Sequence, residues 1–572
     1  MPPAIATQKI LQTNQRSMWT TQVVLMVDTR MLRLMNAESK TIFGAATVVG
    51  VLSLVSRLVG FLRDRVLAGQ FGAGDTLDVY YAAFKIPDAM FSLIVIGSLS
   101  ASFIPLFTKH FGSIGGKAAA WKLTNNVLNL ILVAMAALSC VMALLAGPLA
   151  MLVAPGFDAG KQADVALLMR VMFLAQIVLA ASVVYGSVLQ GMKRFVLYSL
   201  APVLYNVGII AGALWLARPD AFGLIGLAWG VVLGALMHLA VQVYGVWDAG
   251  YRYAPVFEPR DRETLTILKL MGPRMIGIAV GQANIVVLSI LASTLAVGSV
   301  TLFQFAYNIQ FFPIGIFGVS YAIAAFPSFV DHLAKRDIKG FIETFSGTVR
   351  QILFFLIPMT MVFLVLRAQI VRVVVGAGEF DWTSTILTAD ALAFFALSFI
   401  AQALVFVLSR AFFAFHDTAT PLVAGIASAV LGIAMAFSLV DEFGVVGLAM
   451  AYSASSILNL ALLWVPLRSR TGSLDELRII QSLFILSSAG VLCAVVTQFL
   501  KPIAASFMPL DTFLGVLGQG LFAGGVGIAA YVLVCLMLGS EEAREVWSGV
   551  RRRVFRKYQP KEPVATETTT ST

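Results

Sequence analysis

Apolar stretches long enough to cross a lipid bilayer recur along most of this 572-residue chain. A spanning helix needs about 20 such residues, because the hydrocarbon core is about 30 Å thick and a helix rises about 1.5 Å per residue. Within that core each backbone N–H and C=O must be satisfied inside the segment, and runs of this length do so as helices. Fourteen segments can be drawn, at 43–70, 77–107, 123–147, 165–190, 196–217, 222–247, 264–294, 298–328, 344–367, 386–412, 418–439, 444–466, 479–499 and 513–538. The expected fold is an all-α polytopic membrane protein of about 14 transmembrane helices. Composition agrees: 59% of residues are hydrophobic and 12% charged, against about 45–50% and about 25% in soluble domains. A soluble chain must cover its surface with polar groups, and a lipid-facing exterior removes that demand.

The sign and place of the charges then set an orientation. With the N-terminus inside, well over half of the Lys and Arg fall in cytoplasmic segments and only five in outer ones (Lys161, Arg218, Arg367, Arg372, Lys501). An excess of this kind marks the cytoplasmic side, so both termini are expected there and the net charge of +10 does not point to nucleic acid. Residues 1–40 read as an irregular cytoplasmic extension without the h-region and cleavage site of a signal peptide. Residues 539–572 read as a basic, then disordered, cytoplasmic tail; Arg551, Arg552, Arg553, Arg556 and Lys557 would draw it to anionic lipid. Cys140, Cys493 and Cys535 sit in apolar runs as small hydrophobes, and the four histidines form no metal-ligand spacing.

The chain also repeats. Phe222-Gly-Leu-Ile-Gly-Leu-Ala228 returns as Phe443-Gly-Val-Val-Gly-Leu-Ala449. Phe103-Ile-Pro-Leu-Phe107 with His110 returns as Ala325-Phe-Pro-Ser-Phe329 with His332, and Pro202 returns as Pro421. The three offsets, 221, 222 and 219, describe one duplicated unit of six spans. An even number of spans puts both copies in the membrane the same way up, a parallel repeat of the kind that rocks around a central site in alternating-access transporters. The expected domains are therefore 41–250 (spans 1–6), 251–470 (spans 7–12) and 471–538, the last two spans outside the repeat.

Ionisable groups at membrane depth are costly and usually face a cavity or a partner. Here they concentrate in the first two spans, as Arg57, Arg63, Asp64, Arg65, Asp78, Lys85 and Asp88. One reading is a cationic, water-filled pocket for an anionic headgroup, with Arg57, Arg63 and Lys85 binding substrate and Asp64 and Asp78 as charge partners or gating groups. Arg suits phosphate through its planar fork and Lys as a point charge. The other reading places Arg63, Asp64, Arg65 and Asp78 near the outer interface in a purely structural role. Arg274, after Pro273 near the cytoplasmic end of span 7, is a candidate gating residue or a snorkelling one. Gln282, Asn284, Gln304, Asn308 and Gln310 either face the same cavity or join neighbouring helices. No Gly-rich phosphate loop is present, so ATP hydrolysis is not encoded, and no nucleophile is flanked by a base. The expectation is a transporter with no catalytic residue, metal or cofactor, driven by a coupling ion, the membrane potential or a partner.

The string Ser56-Arg-Leu-Val-Gly-Phe-Leu-Arg-Asp64, Phe71-Gly-Ala-Gly74, Asp78, Ala83-Phe-Lys-Ile-Pro87 and Phe103-Ile-Pro105 closely resembles the opening of the MurJ/MviN family, the lipid II flippases of bacterial peptidoglycan synthesis. Ala154-Pro-Gly-Phe157, Met271-Gly-Pro273, Phe312-Pro313 and Thr418-Ala-Thr-Pro421 extend the likeness over residues 40 to 500. The resemblance implies the multidrug/oligosaccharidyl-lipid/polysaccharide exporter superfamily fold, two six-helix lobes in a V, with the two extra helices as a groove for the lipid tail. It implies a multi-pass protein of the bacterial plasma membrane whose partners are the undecaprenyl-linked precursor, membrane lipids and cell-wall synthesis enzymes. Family arginines fall on Arg57 and Arg63, and a family acid on Asp78. The chain departs from the family where an Arg-Arg pair and a Glu are replaced by Phe91, Ser92 and Ile96, and an Asp-Arg pair by Tyr307 and Asn308. Asn308 thereby joins the substrate-binding candidates, with Lys85 or Arg274 as compensating cations. Either the site is rearranged or the cargo differs: another lipid-linked oligosaccharide or an amphipathic drug. A non-transporting scaffold for cell-wall enzymes is the reading from another class.

Overall fold

The computed structural model describes residues 42–93 and 99–555, and every regular element among them is helical. The N-terminal extension and the end of the tail lie outside the described residues. In chain order the helices are α1 (Ile42–Phe71), α2 (Asp75–Phe91), α3 (Leu99–Phe111), α4 (Lys117–Leu144), α5 (Ala146–Val153), α6 (Ala159–Gly191), α7 (Phe195–Ala211), α8 (Ile225–Asp248) and α9 (Arg262–Ser293). There follow α10 (Ser299–Pro313), α11 (Ser320–Ala334), α12 (Ile338–Val365), α13 (Arg367–Val374), α14 (Trp382–Leu397), α15 (Phe399–Ala414), α16 (Ala419–Thr471), α17 (Glu476–Ala505), α18 (Phe513–Met537) and α19 (Glu541–Phe555). Among the described residues nine helices are long and apolar enough to cross a membrane, and α14 with α15, bent by 46°, makes a tenth.

Helix starts follow from the sequence. Asp158 accepts hydrogen bonds from the backbone N–H of Gly160 and Lys161 to open α6, and Asp261 from Thr264 to open α9. Asp337 and Thr512 do the same for α12 and α18, satisfying N–H groups that the helix itself leaves unpaired.

The departures from regular helix also have local causes. Span 8 is interrupted after Pro313, where the chain widens into a π-helical turn over Ile314–Val319 before α11 resumes. Proline offers no N–H to the preceding turn, and a wider turn re-seats the backbone around the gap. Spans 11 and 12, expected as separate segments, lie end to end within α16 as two helices that meet at a kink at Gly444, where φ is 55° and ψ −133°. The short helices α5 and α13 occupy stretches expected as loops, and α19 occupies the start of the basic tail.

The chain divides into two compact units. One comprises the described residues of Met1–Phe305 with Val374–Leu387 and Ile433–Leu448. In it α6 packs against α2, α4 and α8, and α1 lies on α7. Helices α7 and α8 meet backbone to backbone: a Cβ added to Gly208 would lie 2.2 Å from the Gly234 Cα. In lipid no water is expelled by helix association, so close packing of small residues of this kind supplies much of the attraction.

The other unit comprises Ala306–Val373, Thr388–Gly432 and the described residues of Ala449–Thr572. Its core is aromatic, with Phe329, Phe341, Phe345 and Phe354 buried, and the Tyr531 hydroxyl of α18 donates to the Phe354 carbonyl at 2.9 Å. Helix α19 is fastened to α12 and α17 by charge: Arg350 Nη1 reaches Glu541 at 2.9 Å and Glu542 at 2.7 Å. Arg478 meets Glu541 at 2.7 Å, and Ser482 donates to Glu542 at 2.8 Å.

Candidate functional site

The charges of spans 1 and 2 fall within the first unit, on α1 and α2. On α1, Arg63 donates through Nε and Nη2 to a single oxygen of Asp64, at 2.9 and 2.7 Å. Its Nη1 donates to Asn206 Oδ1 of α7 at 3.0 Å. Asp64 is 2% exposed, whereas the Arg63 side chain keeps 23% of its surface open. Arg57, nearly two turns earlier on the same helix, is half-buried. A buried carboxylate inside a membrane bundle is tolerable only with such a partner.

On α2, Lys85 is buried and donates to Gln304 Oε1 of α10 at 2.6 Å. Asp88 stands three residues further on and is exposed, so the same helix stretch presents both signs. Asn308 lies one turn beyond Gln304 on α10, in the part of that helix that belongs to the second unit. The side chains of Arg274 and Ile96 lie outside the described residues.

Asp78 is placed at the end of a helix. It is buried, and its carboxylate accepts from the N–H of Gly298 at 2.6 Å, the N–H of Thr301 at 2.9 Å and the Thr301 hydroxyl at 2.7 Å. Those are the unpaired donors at the start of α10, where the helix dipole also favours negative charge. Gly298 has φ +92°, and a Cβ there would sit 2.5 Å from the Ala73 carbonyl oxygen, so the approach of α2 to α10 needs glycine. Near this contact Lys161 of α6 meets Asp75 at 2.6 Å, and the Glu379 N–H donates to the Gly69 carbonyl at 3.0 Å. The ends of α1, α2, α6 and α10 and the segment around Glu379 are thus tied by short polar contacts.

Removing the Asp78 carboxylate should loosen that end. Asp78→Ala should lower stability by about 1–2 kcal/mol, the usual range for a lost cap at a helix N-terminus. A thermal unfolding midpoint in detergent equal to that of the parent would show that the cap contributes nothing.

Asn206 is the partner that sequence reasoning passed over; its only signal is an amide four residues after Pro202 in an otherwise apolar span. Gln304 stood among five amides of equal standing, and geometry alone singles it out.

The family model described as "Lipid II flippase MurJ" matches residues 67–518. The chain belongs to the lipid II flippase MurJ family. Relatives with that kind of name span nearly the same length. A "Probable lipid II flippase MurJ" of Vibrio cholerae is 28% identical over 518 residues, covering 88% of this chain and 97% of the relative. A "Lipid II flippase MurJ" of Burkholderia cenocepacia is 26% identical over 435 residues, covering 75% and 84%. Among solved structures, a "Lipid II flippase MurJ, inward closed conformation" superposes with TM-score 0.69 at 20% identity, over 89% of this chain and all of that one. An inward-facing multidrug resistance transporter of the MATE family superposes with TM-score 0.63 at 14% identity, over 75% and 99%. At these identities the structures speak for the fold alone, an all-helical one.

Proposed function

We propose that this protein is a lipid II flippase, carrying the undecaprenyl-linked peptidoglycan precursor across the bacterial plasma membrane by alternating access. Family membership supports the cargo. The observation that supports the chemistry is the set of interior cations on α1 and α2, of which Arg63 and Lys85 are held by side chains of other helices. A diphosphate headgroup needs such donors when it leaves water, and the Arg63 side chain keeps 23% of its surface open. The polyprenyl tail stays in lipid, along α17 and α18, whose outward faces carry Phe484, Phe499, Leu514 and Leu521. Both termini are assigned to the cytoplasm by the distribution of Lys and Arg. No step is chemical; the drive is assigned to an ion gradient or to the membrane potential.

A second reading rests on Phe91, Ser92 and Asn308, which stand where the family carries charge: the cargo is then another lipid-linked oligosaccharide or an amphipathic drug. Depletion of the resident flippase in a bacterial host separates the two. The parent chain should restore growth and lipid II translocation, and Lys85→Ala should reduce the translocation rate about tenfold, the effect of losing one charge-assisted contact. Failure of the parent to rescue, with drug resistance gained in its place, would decide for the exporter.

A further inference from the structure

Arg63 of α1 and Lys85 of α2 share a feature of their surroundings. Each is gripped from a second helix by a neutral amide: Arg63 by Asn206 at 3.0 Å and Lys85 by Gln304 at 2.6 Å. We propose that Asn206 and Gln304 are positioning residues that hold Arg63 and Lys85 for an anionic lipid headgroup without neutralising them. The inference rests on the flippase reading above and assigns two residues to the same site.

The amide orientations are unambiguous. Asn206 Nδ2 donates to the Pro202 carbonyl at 3.0 Å, an acceptor only, so Oδ1 must face the guanidinium, a donor only. The bond to Pro202 lies within α7 and turns the Asn206 acceptor to Arg63. Lys85 likewise can only donate, so Gln304 must present Oε1. No carboxylate lies within ion-pair distance of Lys85 among the described residues, Asp88 included.

The chemistry explains why amides serve here. A carboxylate at either place would also accept the hydrogen bond, and would bind the cation more tightly. It would also cancel the charge that an incoming diphosphate needs. Arg63 already faces Asp64, so a second acid would leave that group of side chains net negative and repel the headgroup. Lys85 is covered in this conformation, and a neutral hydrogen bond is the weaker tie to break when a ligand takes the ammonium. A purely structural role forecasts the same stability but no change in diphosphate binding: an isosteric acid beside either cation should be at least as good for the fold and should leave the ligand unaffected.

The test uses the full-length protein in detergent, with undecaprenyl diphosphate and inorganic diphosphate as probes and undecaprenol as the uncharged control. Gln304→Glu and Asn206→Asp should keep the parental unfolding midpoint or raise it, yet bind both diphosphates at least about tenfold more weakly. Gln304→Leu should weaken binding too, with a lower midpoint. Parental affinity in Gln304→Glu and Asn206→Asp would overturn the inference while leaving the flippase reading intact. A parent that binds inorganic diphosphate with the predicted sensitivity, but neither binds undecaprenyl diphosphate nor restores lipid II translocation, would support the amide clamps and sink the flippase. A parent that binds neither diphosphate would overturn both.

Discussion

Arg63→Ala should abolish rescue of a flippase-depleted host, and its cause can be divided into two parts. The first is structural. Asp64, 2% exposed, loses the guanidinium that meets it at 2.7 Å while its carboxyl group stays buried. Removing one partner of a buried pair costs about 3–5 kcal/mol, a large share of the about 5–15 kcal/mol by which a folded protein is stable. The second is functional, the loss of a donor for the headgroup. The double variant Arg63→Ala with Asp64→Ala separates them, because it removes the buried acid together with its cation. That protein should recover most of the parental yield and a monodisperse profile in detergent. Its translocation rate should still fall about 10- to 100-fold, the range for one lost charge-assisted contact. Translocation at the parental rate would remove Arg63 from the binding site and leave it as a structural residue.

The second large effect concerns the attachment of α19. Arg350 is 8% exposed and Glu542 3%, and the pair closes at 2.7 Å. Arg350→Ala should therefore destabilise the second unit by about 3–5 kcal/mol. Replacing both partners by Met should recover most of that loss, since a well-packed apolar pair removes the stranded charge. Thermal unfolding in detergent reads both, and cleavage after the arginines at 551–553 reports detachment of α19 directly. A single variant as stable as the double one would show that the ion pair does not fasten the helix.

The same contact is pH-dependent. Hydrogen bonds from Arg478 and Arg350 hold the Glu541 carboxyl below its usual range. Burial pushes Glu542 up, but hydrogen bonds from Ser540, its own N–H and Ser482, with the charge of Arg350, bring it below that range as well. Carboxyls lowered on folding contribute stability that is complete above the unfolded glutamate value, about 4.3, and lost as pH falls through the folded values. Proteolytic release of the tail should accordingly rise below about pH 4 and stay flat from about pH 6 to 8.

Much of the fold could be read from residues alone, because hydropathy over about 20 positions is a local quantity. The helical membrane class and the crowding of charge onto α1 and α2 follow from neighbours in sequence. Irregularities were harder. The π-helical turn after Pro313 and the break at Gly444 inside α16 arise where backbone strain is relieved, and composition marks only the residue, not the geometry. The seating of α19 depends on Arg350, 191 positions from Glu541, and no window along the chain contains both.

The charges themselves divide in the same way. Sequence by itself determined that Arg57, Arg63, Asp64, Asp78 and Lys85 would lie in the first two spans, where an ionisable group has to have a reason. Tertiary structure decided the reason for each of those it partners: Arg63 shared between Asp64 and Asn206, Lys85 given to Gln304, Asp78 turned to the start of α10. Asn206 is 143 positions from Arg63 and Gln304 219 from Lys85. Whether such residues meet depends on the rotation and register of two packed helices, which side-chain packing sets and hydropathy does not encode.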